Sequence, residues 1–95
     1  MHLGGRSSKF GKRAKSAEDL KAALYQRLPR GSTLDEAMAW LRAEQIAFAD
    51  EENDLRFTLR GPSRGLLVGV TWIVTLDFAD DRLSEVVVQE GLTGP

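Results

Sequence analysis

The sequence predicts an α+β fold: two N-terminal helices packed on one face of a three-stranded antiparallel β-meander, in the order ααβββ. Three observations carry this expectation. Thr33-Leu-Asp-Glu36 opens a segment with helical apolar spacing and a capping-box pattern. Leu20, Leu24 and Leu28 recur every four residues ahead of it. Everything after residue 54 alternates apolar and polar residues in runs broken by Gly, Pro and Asp.

The first helix is expected to start at Ser16, whose hydroxyl can accept from an unpaired amide of the first turn. Glu18 and Asp19 place negative charge near the positive end of the helix dipole. Leu20, Ala23, Leu24 and Leu28 make its apolar face, and Pro29 stops it because the residue before a proline avoids helical geometry. Arg30-Gly31 makes the turn. The second helix is capped by Thr33 and Glu36 and buries Leu34, Ala37, Met38 and Leu41 before ending near Gln45. Trp40 lies about 100° from Leu41 on the helical wheel, either at the rim of the core or as an exposed contact. Ile46 and Phe48 then alternate with Ala47 and Ala49, and Asp50–Asp54 reads as an acidic loop.

Leu55, Phe57 and Leu59 alternate with Arg56, Thr58 and Arg60, the pattern of a half-buried strand. Gly61-Pro-Ser-Arg-Gly65 reads as a loop. In the next strand Val68, Val70, Trp72, Val74, Leu76 and Phe78 share one face, and Gly69, Thr71, Ile73, Thr75 and Asp77 the other. Ala79–Arg82 makes a tight connection. The third strand runs from Leu83 to Gln89, with Val86 and Val88 facing the core and Glu85, Val87 and Gln89 facing out, and a short polar tail follows. Short connections favour pairing in chain order. With no further element in the sequence, one sheet face stays uncovered.

Charge divides the 95 residues into a basic arm, 1–15, and a single α+β domain, 16–95. The arm carries Arg6, Lys9, Lys12, Arg13 and Lys15 without an acid, a charge of +5; the remainder holds eight Lys/Arg against fourteen Asp/Glu, a charge of −6. Rich in Gly, Ser and cations and lacking periodicity, the arm is expected to be disordered. Its five cations are the candidate nucleic-acid contacts, as an alternative to a protein-binding role. Nucleic acid is the less favoured partner, since Phe10 is the only aromatic there to stack on bases.

Catalytic signatures are sparse. There is no cysteine, the single histidine is His2, and Lys21 is the only lysine outside the arm. Nucleophile–base pairs of the usual kinds therefore cannot be assembled, and the chain is expected not to be an enzyme. Asp77, Asp80, Asp81 and Glu85 flank one hairpin turn and could be imagined around calcium. Their spacing does not fit an EF-hand loop, and aspartate is common at turns because it bonds nearby backbone. Neither a metal nor a cofactor is expected. No apolar run approaches the ~20 residues of a membrane span. No apolar core of about 7–15 residues marks a signal peptide. The expected compartment is the cytoplasm as the sequence is written, or the periplasm or envelope if a leader has been removed.

The candidate protein-binding residues lie on the uncovered sheet face: Ile73 and Val87 as neighbouring apolar side chains, bordered by Arg56 and Arg60. An exposed edge strand is a second route to a partner, and to a homodimer. The partner itself is not identified by the sequence.

Two segments carry a family resemblance. Leu28-Pro-Arg-Gly-Ser-Thr-Leu-Asp-Glu-Ala-Met-Ala-Trp-Leu41 resembles the "L-x-x-G-[MS]-[ST]-x-x-[EA]-[VA]-x-x-x-L" signature of the small outer-membrane assembly lipoproteins of the SmpA/OmlA (BamE-like) type. Trp72-Ile-Val-Thr-Leu-Asp-Phe-Ala-Asp-Asp-Arg-Leu-Ser-Glu-Val-Val-Val88 resembles their hydrophobic strand and "F-D-x-x-G-x-[LV]-x-x-[VI]" ending, and Thr93-Gly94-Pro95 resembles the close of some bacterial proteins of unknown function. The resemblance implies an ααβββ domain, shared with β-lactamase-inhibitor-like repeats, acting as a non-catalytic binding or scaffolding module. The sequence departs from the lipoproteins in lacking the lipobox cysteine and in placing Asp81 where a hairpin glycine is common.

Overall fold

The computed structural model describes residues 11, 14–63 and 69–93. It is an α+β unit of two helices followed by a four-stranded antiparallel sheet in the order β1-β2-β3-β4. The elements are α1 (Ala17–Arg27), α2 (Leu34–Ala43), β1 (Ala49–Glu51), β2 (Asp54–Ser63), β3 (Gly69–Ala79) and β4 (Arg82–Thr93).

Both helices begin as their caps require. Ser16 Oγ accepts from the Asp19 amide at 3.1 Å. At α2 the reciprocal box forms: Glu36 N–H donates to Thr33 Oγ1 at 3.1 Å and Thr33 N–H donates to Glu36 Oε1 at 2.8 Å. Such a box is worth about 1 kcal/mol. Helix α2 closes through Gln45, at φ 60°, with the Ile46 amide reaching back to the Leu41 carbonyl at 2.9 Å. This is the closure glycine usually supplies, made here by a residue with a side chain.

The meander has four strands where three were expected. Asp50–Asp54, read as a loop, is a hairpin: Ala49 pairs with Arg56, Asp50 with Leu55 and Glu51 with Asp54. All three β1 residues are exposed, so no apolar alternation marks the strand. Two further boundaries move. Gly61–Ser63 belongs to β2 rather than to the loop, and β4 continues through the expected tail to Thr93.

Two register shifts shape the sheet. On β4 the pairing passes from Asp77↔Glu85 to Phe78↔Leu83, leaving Ser84 unmatched. A bulge of this kind inverts the facing pattern beyond it, so Leu83 turns inward with Val86 and is 2% exposed. On β2 the shift falls between Arg60 and Ser63, where Pro62 has no amide to contribute to a ladder.

The core lies between the helices and the face of the sheet bearing Leu55, Phe57, Val74 and Leu76. Trp72 is fully buried, as expected. Two glycines border its indole: a Cβ on Gly61 would stand 2.7 Å from Trp72 Nε1, and one on Gly11 would stand 3.1 Å from Trp72 Cδ1 and 2.8 Å from Leu59 Cβ. Trp72 Nε1–H donates to the Gly11 carbonyl at 2.9 Å. Ala14 is buried in the same core. Gly11 and Ala14, which the expected boundary between residues 15 and 16 leaves on the side of the arm, are both buried. Trp40 is half-buried and packs against the core, which makes it part of the rim.

Candidate interaction surface

The reverse of the sheet is built by the residues that alternate with the core positions. Arg56, Thr58 and Arg60 on β2 are exposed. On β3, Thr71, Ile73, Thr75 and Asp77 are half-buried. On β4, Glu85 and Gln89 are exposed and Val87 is half-buried. No helix crosses this face among the described residues.

Register assembles these side chains into cross-strand rows. Arg56, Thr75 and Val87 form one row; Thr58, Ile73 and Gln89 form the next; Arg60, Thr71 and Gly91 form the third. Ile73 and Val87 are therefore diagonal neighbours, about 7–8 Å apart between Cα atoms, rather than directly opposed. The Ile73 Cδ1 atom lies 3.7 Å from where a Cβ on Gly91 would stand. Ile73 thus leans along β4 toward Gly91 and fills the space that glycine leaves. The apolar part of the surface is two half-buried side chains stepped across the sheet, with Thr75 and Gln89 between them.

The two arginines differ in setting. Arg56 Nη2 is 3.8 Å from Glu51 Oε1, with both side chains about half exposed (53% and 50%). An ion pair so open to water contributes no more than about 1 kcal/mol. Arg60 lies two rows further along β2, on the same face and beside the Gly61 bulge.

One feature of this face is not legible in the linear sequence. Glu51, Asp54, Asp77 and Glu85 occupy a single row across all four strands. The sequence places two of them in a presumed loop and two beside a hairpin, so only the β1–β2, β2–β3 and β3–β4 registers together bring them into line. Asp54 Oδ1 is buried and has no hydrogen-bond partner among the described residues. Among those residues, no three carboxylates converge as a metal-binding group. Asp80 and Asp81, the other acids of that hairpin, adopt φ 53° and 65° and form its two-residue turn.

Of the arm residues, Lys15 is exposed, and its backbone amide donates to Asp19 Oδ2 at 3.2 Å. Arg6, Lys9, Lys12 and Arg13 lie outside the described residues. Among the described residues, no helix is long and apolar enough to cross a membrane.

The two edges of the sheet are unequal. β1 is a stub of 3 residues, whereas β4 runs for 12. The start of β4 is occupied by the chain itself. Gly31 N–H donates to the Leu83 carbonyl at 2.9 Å, Leu83 N–H donates to the Ser32 carbonyl at 2.7 Å, and Thr33 forms an antiparallel bridge with Arg82. Tyr25 Oη then accepts from the Val86 amide at 3.0 Å, with the Arg30 guanidinium 5.1 Å from the Tyr25 ring centroid.

No family model, no curated protein and no solved structure matches this chain, so the geometry of its own residues carries the functional reading.

Proposed function

We propose that the chain is a small non-catalytic interaction or scaffolding module that binds another protein through the uncovered face of its sheet. The observation that supports this reading is the placement of Ile73 and Val87, both half-buried, on a face with exposed Arg56 and Arg60 and, among the described residues, no covering layer. Apolar side chains with arginine at the border are the composition of a recognition patch. The face is built on paired strands, so its side chains are held without further ordering, which lowers the cost of association. The resemblance to the SmpA/OmlA (BamE-like) domains points the same way, toward binding rather than catalysis.

The test is site-directed photo-crosslinking in cells. A photoreactive phenylalanine analogue at position 73 or 87 is expected to give one discrete protein adduct, and the same analogue at Ala39, on the exposed side of α2, none. Adducts of equal yield from all three positions would reject the sheet face as the binding surface. The double variant I73S/V87S should keep its circular dichroism spectrum and lose the adduct formed from a probe at position 58.

A further inference from the structure

Charge on the uncovered face is graded along the strands. Its cross-strand rows run from Glu51, Asp54, Asp77 and Glu85, through the Val87 row and the Ile73 row, to Arg60, Thr71 and Gly91. Carboxylates are gathered at one end, the apolar side chains occupy the middle, and Arg60 marks the other end. Arg56 is already engaged within the chain, 3.8 Å from Glu51. Among the described residues, Arg60, Asp54, Asp77 and Glu85 make no ion pair. Arg60 stands three rows from Asp54 along β2, about 20 Å at the rise of an antiparallel strand. The two ends therefore cannot neutralise one another within one chain.

We infer, resting on the sheet-face reading above, that the protein bound there is a second copy of this chain, packed sheet to sheet about a two-fold axis. The axis lies in the interface and crosses the strands between the Val87 row and the Ile73 row. It sets each strand over its own counterpart, reversed in direction, so that one patch serves both copies. The carboxylate row of each copy then lies over the Arg60 row of the other, and Arg60 faces the second copy's Asp54 twice, once from each side. In the middle, the two Ile73 side chains lie side by side across the axis, as do the two Val87 side chains. Sheets packed in this way stand about 10 Å apart, with their inner faces interdigitating. Charge selects the arrangement. An axis parallel to the strands would stack carboxylate row on carboxylate row, which like charges oppose. Net charge is no obstacle, since the whole chain carries only −1. Any occupant of this face needs an apolar centre with cation over the carboxylate end and acid over Arg60, and the chain itself supplies that pattern. The face is small, so the dimer is of the weak, concentration-dependent class.

The purified full chain, followed by sedimentation equilibrium from micromolar to millimolar concentration, should dimerise reversibly. R60E places acid over acid and should weaken the dimer at least tenfold. D54R places arginine over arginine and should do the same. Mixed in equal amounts, the two variants should form a heterodimer at least tenfold tighter than either homodimer, because both contacts across the axis become attractive. If D54R does not fold, D77R, in the same row on the neighbouring strand, takes its place. I73S/V87S should lose the dimer. A chain that stays monomeric at millimolar concentration overturns the two-fold dimer. So does a dimer indifferent to R60E, or a mixture that shows no rescue. The photoreactive analogue at position 73 separates the second copy from the broader reading. An adduct of twice the chain mass supports the second copy. A discrete adduct of any other mass overturns it and leaves the sheet face standing as a binding surface, whereas equal yield from Ala39 overturns both.

Discussion

Strand β3 presents two unlike sides of one backbone. Val70, Trp72, Val74, Leu76 and Phe78 are buried beneath the helical layer, and Thr71, Ile73, Thr75 and Asp77, each one residue away, are half in water. Backbone pairing is the same for both sets, since β2 and β4 flank β3 along most of its length. What differs is the layer above. The dry side draws its stability from apolar area removed from water, about 1.5–3 kcal/mol for each large side chain. On the wet side little area is removed, so a residue there is kept for what it offers outward or for its ease in an extended chain.

Substitutions on the two sides should therefore separate by size of effect. The largest loss is expected from W72A, about 3–5 kcal/mol in chemical denaturation, because it empties the space framed by Gly11, Gly61 and Leu59; T75A, three residues along on the other side, should stay within about 0.5 kcal/mol. Removing residues 1–13 should cost about 1–3 kcal/mol, since it strips the Trp72 indole N–H of its buried acceptor and uncovers the end of the core. If that truncation proves neutral, the dry side ends at α1 and residue 11 is an accessory. Next, T33A should cost about 1 kcal/mol, by loosening only the helical layer over the dry side. D81G should gain about 0.5 kcal/mol, because a type I′ hairpin favours glycine where Asp81 now sits at φ 65°. The smallest change belongs to I73S, within about 0.5 kcal/mol. A loss of 2 kcal/mol or more there, on the order of a core truncation, would mean that Ile73 is held by more than its contact over Gly91.

Elements with a strong local pattern were legible in advance. The α2 cap, the leucine spacing of α1 and the alternation of β3 each follow from a periodicity that burial enforces, and they give the two faces correctly. What escaped had no such pattern. β1 is exposed along its length, so nothing in its composition separates it from a loop. Leu83 turns inward only because a bulge at Ser84 resets the alternation. The row of Glu51, Asp54, Asp77 and Glu85 depends on three strand registers together. The Gly11–Trp72 bond joins positions 61 residues apart, and a glycine between Phe10 and Lys12 in a cation-rich arm carries no mark of burial. For the candidate surface, the sequence identified the residues on the face, while their spacing, and the diagonal offset of Ile73 from Val87, required the register.

That bond has a consequence for synthesis. Its acceptor emerges from the ribosome first, and its donor follows 61 residues later, roughly 3–12 s at ordinary elongation speeds. During that interval the segment destined to seal the core has nothing to seal. Until Trp72 has been made, the Gly11 carbonyl can bond only to water or to other partners, so this end of the core closes after most of the chain exists.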